Sequence, residues 1–339
     1  MTTLSTRPLG PFQVTTIGLG CMNLSHGYAP FPTEETGIAL LNRALDLGIN
    51  LLDTAAIYGA GANERLVAKA VGHRRSEYVL ASKCVLDIHP NGKRVDASPA
   101  AIAATLDAAL NRLGTDHIDL YYLHRPDFAV PIEDSVGALV RAKEAGKIGA
   151  IGLSEMSADW VRRAHAVHPI AAVQSEYSPI VRNPEIAVLE TCRELDIAFV
   201  AFSPVARGLL AGAVRRDGFA PDDIRAHLPR FNGDLLAHNL SAVDAYDALA
   251  GELGITPAQL SLAWVLARAP HVVTIPGTRS IAHLEENVAA ARLTLDAATL
   301  ARIDAIFAPG AIRGGRYSAG MQAQVGTETF ADEELAAAQ

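Results

Sequence analysis

The chain has 339 residues, half of them hydrophobic, 19% charged, and a formal net charge of −8, enough apolar material for a large buried core. With an acidic balance and no Lys/Arg-rich run, nucleic acid is a poor partner, because phosphate neutralisation requires a basic surface. Cys21, Cys84 and Cys192 are far apart with no CxxC spacing, which argues against a disulfide framework or a zinc centre. A start without leader character and the lack of an apolar run of about 18 residues then predict a cytoplasmic chain with no membrane span.

In chain order, "STRPLGPFQ" reads as a hairpin, and eight short apolar runs follow: 15–20, 50–53, 78–83, 118–124, 148–154, 171–176, 197–203 and 272–276. Helical patterns alternate with them. One opens with Ser98 as N-cap and Pro99 at the first position and stops at Gly114; a second stops at Gly146; a third opens at Thr256 and Pro257 and closes at Pro270. Nearly continuous apolar strands between helices predict parallel βα units covered on both faces. Eight of them predict a (β/α)8 TIM barrel with an N-terminal β-hairpin and an active site at the carboxyl ends of the strands; a doubly wound open sheet is the alternative. No compositional break divides the chain, so residues 1–339 read as one domain. Two stretches break the rhythm: a long irregular loop over 204–239 and a tail over 310–339 that covers the mouth or frays.

The last residues of the predicted strands carry the chemistry. They are Gly20 (followed by Cys21 and Met22), Asp53, Lys83, His124, Ser154–Glu155, Gln174, Phe202–Ser203 and Pro276–Gly277–Thr278. Singly, each has an ordinary structural explanation, such as a capping Asp or a core imidazole. Five successive strand ends bearing Asp, Lys, His, Ser and Gln form a pattern that a barrel would gather at one mouth. Tyr58 follows Asp53 closely. A lysine ammonium near a phenol lowers its pKa, Asp53 would hold that lysine charged, and His124 could donate to a substrate oxygen. Tyr58 then becomes a proton donor to a carbonyl oxygen. "GLGCMN" lacks the third glycine of a dinucleotide fingerprint, and "HAVH" has no carboxylate partner for a metal.

"LLDTAAIYG", "LASKC", "YYLHRPD", "GLSE", "QSEYS", "FSPVARGLL" and "IPGTRSIAHLEENVAA" together resemble the aldo-keto reductases, (β/α)8-barrel oxidoreductases that use a nicotinamide cofactor. The resemblance runs from about Gly18 to Ala290. It implies a catalytic tetrad of Asp53, Tyr58, Lys83 and His124, with Tyr as general acid. It implies cofactor contacts from Gly20, Cys21, Met22 and Asp53, and carboxamide contacts from Ser154 and Gln174. Glu155 stands where many members have Asn. Phe202 would stack on the nicotinamide. Ser203, Pro204, Val205, Arg207 and Gly208 would cover the pyrophosphate; Ile275, Gly277, Thr278, Arg279, His283, Glu286 and Asn287 would hold the adenosine end. Arg279 suits a 2′-phosphate, so NADPH/NADP+ is the expected cofactor, NADH use stays open, and no metal is expected.

The resemblance further implies reduction of a small carbonyl substrate lying near Met22, Tyr28, Tyr58 and His124, in a branch similar to bacterial and plant reductases of small aldehydes, pyridoxal among them. Two rival readings stand beside it. One is a cofactor-bound redox sensor, since potassium-channel β-subunits share this fold and site. The other is a Schiff-base aldolase using Lys83. The sequence leaves the oligomeric state open.

Overall fold

The structure, a computed structural model, describes residues 4–89, 92–215, 218–331 and 333. Met1–Thr3, the end of the expected tail (332 and 334–339) and positions 216–217 of the expected loop lie outside them. The N-terminal hairpin forms as β1 (Thr6–Leu9) and β2 (Phe12–Thr15), paired antiparallel. Leu9 and Val14 project from it into a cluster with Leu51, Ala81, Leu120 and Ala150, so the hairpin plugs the amino end of the molecule.

The elements that follow are β3 (Leu19–Gly20), α1 (Glu34–Asp46), β4 (Leu51–Asp53), α2 (Ala62–Val71), β5 (Val79–Cys84) and a second hairpin, β6 (Leu86–His89) with β7 (Gly92–Val95). Then come α3 (Pro99–Leu113), β8 (Ile118–Leu123), α4 (Ile132–Glu144), β9 (Ile148–Ser154), α5 (Ala158–Val167), β10 (Ala172–Glu176), α6 (Val188–Glu194) and β11 (Ala198–Phe202). The chain finishes with α7 (Gly233–Glu252), α8 (Pro257–Ala267), β12 (Val272–Thr274), α9 (Ile281–Ala290), α10 (Ala297–Ile306) and α11 (Ala319–Gln322).

β3, β4, β5, β8, β9, β10, β11 and β12 form one parallel sheet in that order. An Ile17–Thr274 bridge joins its two edges, with Gly18 N donating to Thr274 O at 2.8 Å and Thr274 N to Thr16 O at 3.0 Å. The sheet is therefore a closed (β/α)8 barrel. The strands expected at 15–20 and 272–276 shorten to β3 and β12 because pairing at this seam is reduced to an isolated bridge.

Local sequence explains the helix ends. Ser98 accepts from Ala101 N at 3.4 Å ahead of Pro99, and Gly114, with φ +63°, ends α3 in the left-handed region that glycine tolerates. Thr256 and Gln259 form a capping box at α8. Two differences from expectation stand out. The irregular stretch ends at Asn232 rather than at 239, because α7 begins at Gly233. The β6–β7 hairpin was not anticipated, although "PNG" is a hairpin signal. Among the described residues no helix is long and apolar enough to cross a membrane.

Candidate active site

Strand periodicity decides which side chains enter the barrel. Leu51, Ala81, Leu120, Tyr122, Ala150, Ala172, Ala198 and Val200 fill the interior, while Leu52, Leu80, Tyr121, Ile151, Val173 and Phe199 face the outer core. Side chains two apart share a face of a strand. Asp53 therefore follows Leu51 inward, Lys83 follows Ala81, His124 follows Tyr122, Gln174 follows Ala172 and Phe202 follows Val200. Ser154 follows Gly152, a position where an added Cβ would lie 2.3 Å from the Tyr122 ring. The parallel register then sets Asp53 beside Gly20, Lys83 beside Tyr122 and Ser154 beside Gln174.

Tyr58 comes from a different device. It opens a turn, Tyr58–Gly61, in which Gly59, Ala60 and Gly61 all have positive φ, directly before α2. Its ring lies edge-on to His124, with centroids 5.9 Å apart, and stacks on His26 at 5.8 Å. Lys83 Nζ is 5.2 Å from the Tyr58 ring centroid; it pairs with Asp53 Oδ1 and donates to Thr54 O at 2.9 Å. Gln174 Nε2 donates to the other Asp53 oxygen at 2.8 Å. Four strand ends and one turn thus meet in a single cluster.

The electrostatics correct one expectation. Burial pushes the Tyr58 phenol above its ordinary value, and the pull of the Lys83 ammonium does not reverse this. Burial works against the Lys83 charge as well, yet Asp53 and Tyr58 together raise it overall, so it stays an ammonium. Tyr58 is consequently a neutral O–H donor next to a fixed positive charge, rather than a phenol near ionisation at neutral pH.

The cluster forms the floor of a cavity of about 720 Å3 at the carboxyl ends of the strands. Of the expected residues, Gly20, Met22, Tyr28, Asp53, Tyr58 and His124 line it, as do Ser154, Gln174 and Phe202. Ser203, Pro204, Val205, Arg207 and Gly208 line it too, as do Ile275 and Gly277 beside Gly20 and then Thr278, Arg279 and His283. Gly277 is the residue the space allows: a Cβ there would lie 2.5 Å from Asn23 Oδ1. Ser203, Ala206 and Arg207 all adopt positive φ, strain typical of a loop shaped for a ligand. Ile224 N donates to Gly27 O at 2.7 Å, bringing the excursion after β11 over the cavity as a roof.

Five expected residues lie off the lining. Lys83 is buried behind Asp53 and Tyr58. Cys21 is buried, its thiol 3.8 Å from Leu19 O. Glu286 takes a hydrogen bond from the Thr256 hydroxyl at the start of α8, while Asn287 is buried on α9.

Glu155 departs most from expectation. Its carboxylate does not face the cavity; it accepts from Arg316 at 3.0 and 2.7 Å, from Thr327 at 2.8 Å and from Glu176 N at 2.9 Å. Burial would raise its pKa, but Arg316 holds it down at about 2. A positive φ of 54° turns it away from the mouth that Ser154 faces. Arg207 joins the same network through Glu176 at 2.8 Å and Tyr317 at 3.2 Å.

Sequence reasoning missed His26, Arg125 and Arg225, while Tyr317, Ser318, Met321 and Gln324 on the lining belong to the tail expected to cover the mouth or fray. Of the three, Arg125 carried a signal, standing directly after His124. The "GLGCMN" run leads into a short turn, Met22–Leu24, rather than a helix. His165 of "HAVH" accepts from Ile170 N at 3.2 Å, and among the described residues no group of three or more His, Cys, Asp or Glu could hold a metal ion.

The sequence profile of the aldo/keto reductase family matches residues 16–308. An NADP(+) aldo-keto reductase of Schizosaccharomyces pombe, yakc, is 41% identical over 96% of this chain and 98% of its own length. A probable aldo-keto reductase of Glycine max is 40% identical over 91% and 90%. Among solved structures, a glycerol dehydrogenase of Gluconobacter oxydans superposes with a TM-score of 0.82 at 26% identity, over 98% of this chain and 99% of its own. An aldo/keto reductase of Klebsiella pneumoniae in complex with NADP and acetate gives 0.70 at 28% identity, over 94% and 99%. The chain belongs to the aldo/keto reductase family.

Proposed function

We propose that this protein reduces an aldehyde or ketone to the alcohol with NADPH, Tyr58 delivering the proton. The observation that carries the reading is the Asp53–Lys83 pair beneath the Tyr58 ring, with His124 edge-on to that ring in the same cavity. A neutral phenol beside a fixed ammonium can protonate a carbonyl oxygen, and the cation stabilises the charge left behind. His124 positions that oxygen. Lys83, held as an ammonium by Asp53, is unsuited to act as an amine nucleophile, which favours reduction over Schiff-base chemistry.

The donor set fits a nicotinamide dinucleotide. The end near the tetrad offers Ser154 and Gln174 for a carboxamide and the Phe202 ring for stacking. The left-handed turn over Ser203–Gly208 suits a pyrophosphate. At the far end the start of α9, with Thr278, Arg279 and Ser280, suits an anionic 2′-phosphate. When bound, the reduced nicotinamide supplies the hydride. The site draws on residues from Gly20 to Gln324, so we read the chain as one working domain; three free buried cysteines suit a reducing cytoplasm.

A panel of aldehydes, ketones and alcohols assayed with NADPH and NADH tests this. Aldehyde-dependent oxidation of NADPH is expected. Its absence across the panel would leave the regulatory-subunit reading in its place.

A further inference from the structure

Four arginines line the cavity, and they differ in what neutralises them. Arg207 is paired with Glu176 at 2.8 Å and Arg225 with Asp223 at 2.7 Å. Arg279 is held by the backbone carbonyls of Tyr28 and Pro30 at the far end. Arg125 stands at the tetrad end. Its Nη1 donates to His124 O at 2.7 Å and reaches Ser154 Oγ at 3.5 Å, and among the described residues it makes no ion pair with a carboxylate. Asp53, the single acidic residue on the described lining, is already paired with Lys83.

Arg125 is therefore a half-buried guanidinium beside the reacting position with Nη2 and Nε unused by the described residues. Its charge is felt by the Tyr58 phenol and by the buried Glu155 carboxylate, which is itself bound by Arg316. A guanidinium in a partly desolvated site has its strongest complement in a carboxylate, which it can bind through two parallel N–H donors. The apolar patch of Met22, Ile57 and Leu86 on the same lining would take the organic remainder of such a molecule.

We infer that Arg125 selects carbonyl substrates bearing a carboxylate next to the reacting carbonyl, the 2-oxo acids, over their uncharged esters. The inference rests on the reductase reading above. In the step it implies, the keto carbon gains a hydride and the keto oxygen the Tyr58 proton, giving the 2-hydroxy acid while NADPH is oxidised to NADP+. The carboxylate keeps its charge throughout. Arg125 offsets that charge, which would otherwise oppose the negative charge developing on the keto oxygen.

The test compares benzoylformate with its methyl ester in the full-length protein, Arg125→Met and Arg125→Lys, using NADPH. Binding of oxamate, an unreduced mimic, to the NADP+-loaded proteins is measured alongside. Arg125→Met is expected to lower the acid-to-ester ratio of kcat/KM about tenfold or more and to weaken oxamate binding in parallel. Arg125→Lys should fall between it and the parent, since charge survives without the planar fork. An unchanged ratio, oxamate binding insensitive to both substitutions, or reduction of neutral aldehydes without benzoylformate would overturn the inference and leave the reductase reading intact. Failure of every carbonyl would remove that reading instead, and oxamate binding would then still decide whether Arg125 is an anion site.

Discussion

Glu155 and Arg316, 161 positions apart in the chain, meet in the interior through two hydrogen bonds of 3.0 and 2.7 Å. Glu155 directly follows Ser154 on the cavity floor, and Arg316 directly precedes Tyr317 on its rim. The pair thus fastens the C-terminal segment to the end of β9.

Removing one member strands the other as a buried charge. Arg316→Met is expected to destabilise the fold by about 3–5 kcal/mol, the range for a broken buried pair. Urea unfolding checks this. Because Glu155 is held at about 2, below the ordinary carboxylate value of 4.5, its stabilising contribution is present above 4.5 and disappears as pH falls toward 2. Glu155→Gln lacks that contribution, so its stability deficit relative to the parent should narrow through this window. A constant deficit would show that Glu155 titrates normally.

The 2′-phosphate assignment depends on Arg279, whose guanidinium is held beside the start of α9 by Tyr28 O and Pro30 O. Arg279→Ala should raise the Kd for NADPH about tenfold or more and change that for NADH little, since only the former carries the extra phosphate. Fluorescence titration with both dinucleotides makes the comparison; equal weakening would take Arg279 out of that role.

Cys21, Cys84 and Cys192 are buried, and burial pushes each thiol up to about 12. Thiolates are the reactive form. The native protein should therefore react with a disulfide reagent only at the rate of its opening, with all three thiols titrating once urea unfolds it. Fast native labelling of one thiol would place it at the surface.

The barrel and the placement of most candidate site residues at its mouth were legible in the chain because both depend on local rules. Period-2 burial points Asp53, Lys83, His124, Ser154 and Gln174 inward once the strands are identified, and the Ser98 and Thr256 caps mark helix starts without tertiary information. What escaped notice depends on long-range contacts. Glu155 follows Ser154 in sequence, but its positive φ and the distant Arg316 send it away from the cavity. The phenol of Tyr58 titrates opposite to the expected direction because its burial outweighs Lys83, and burial at a turn is not written in "TAAIYG". His26 reaches the lining through loop geometry that its neighbours in sequence do not encode.

In the proposed reaction Tyr58 gives its proton to the substrate oxygen. With its pKa raised above 10, the phenol is fully protonated at neutral pH, so the acid is in its working form there. Tyr58→Phe retains the ring against His26 and His124 and removes only the donor. Single-turnover reduction of an aldehyde by the NADPH complex is the direct measurement, with NADPH binding measured on the same sample. The predicted result is a loss of roughly 10²–10⁴-fold in rate with NADPH binding nearly unchanged; a rate equal to that of the parent protein would contradict it.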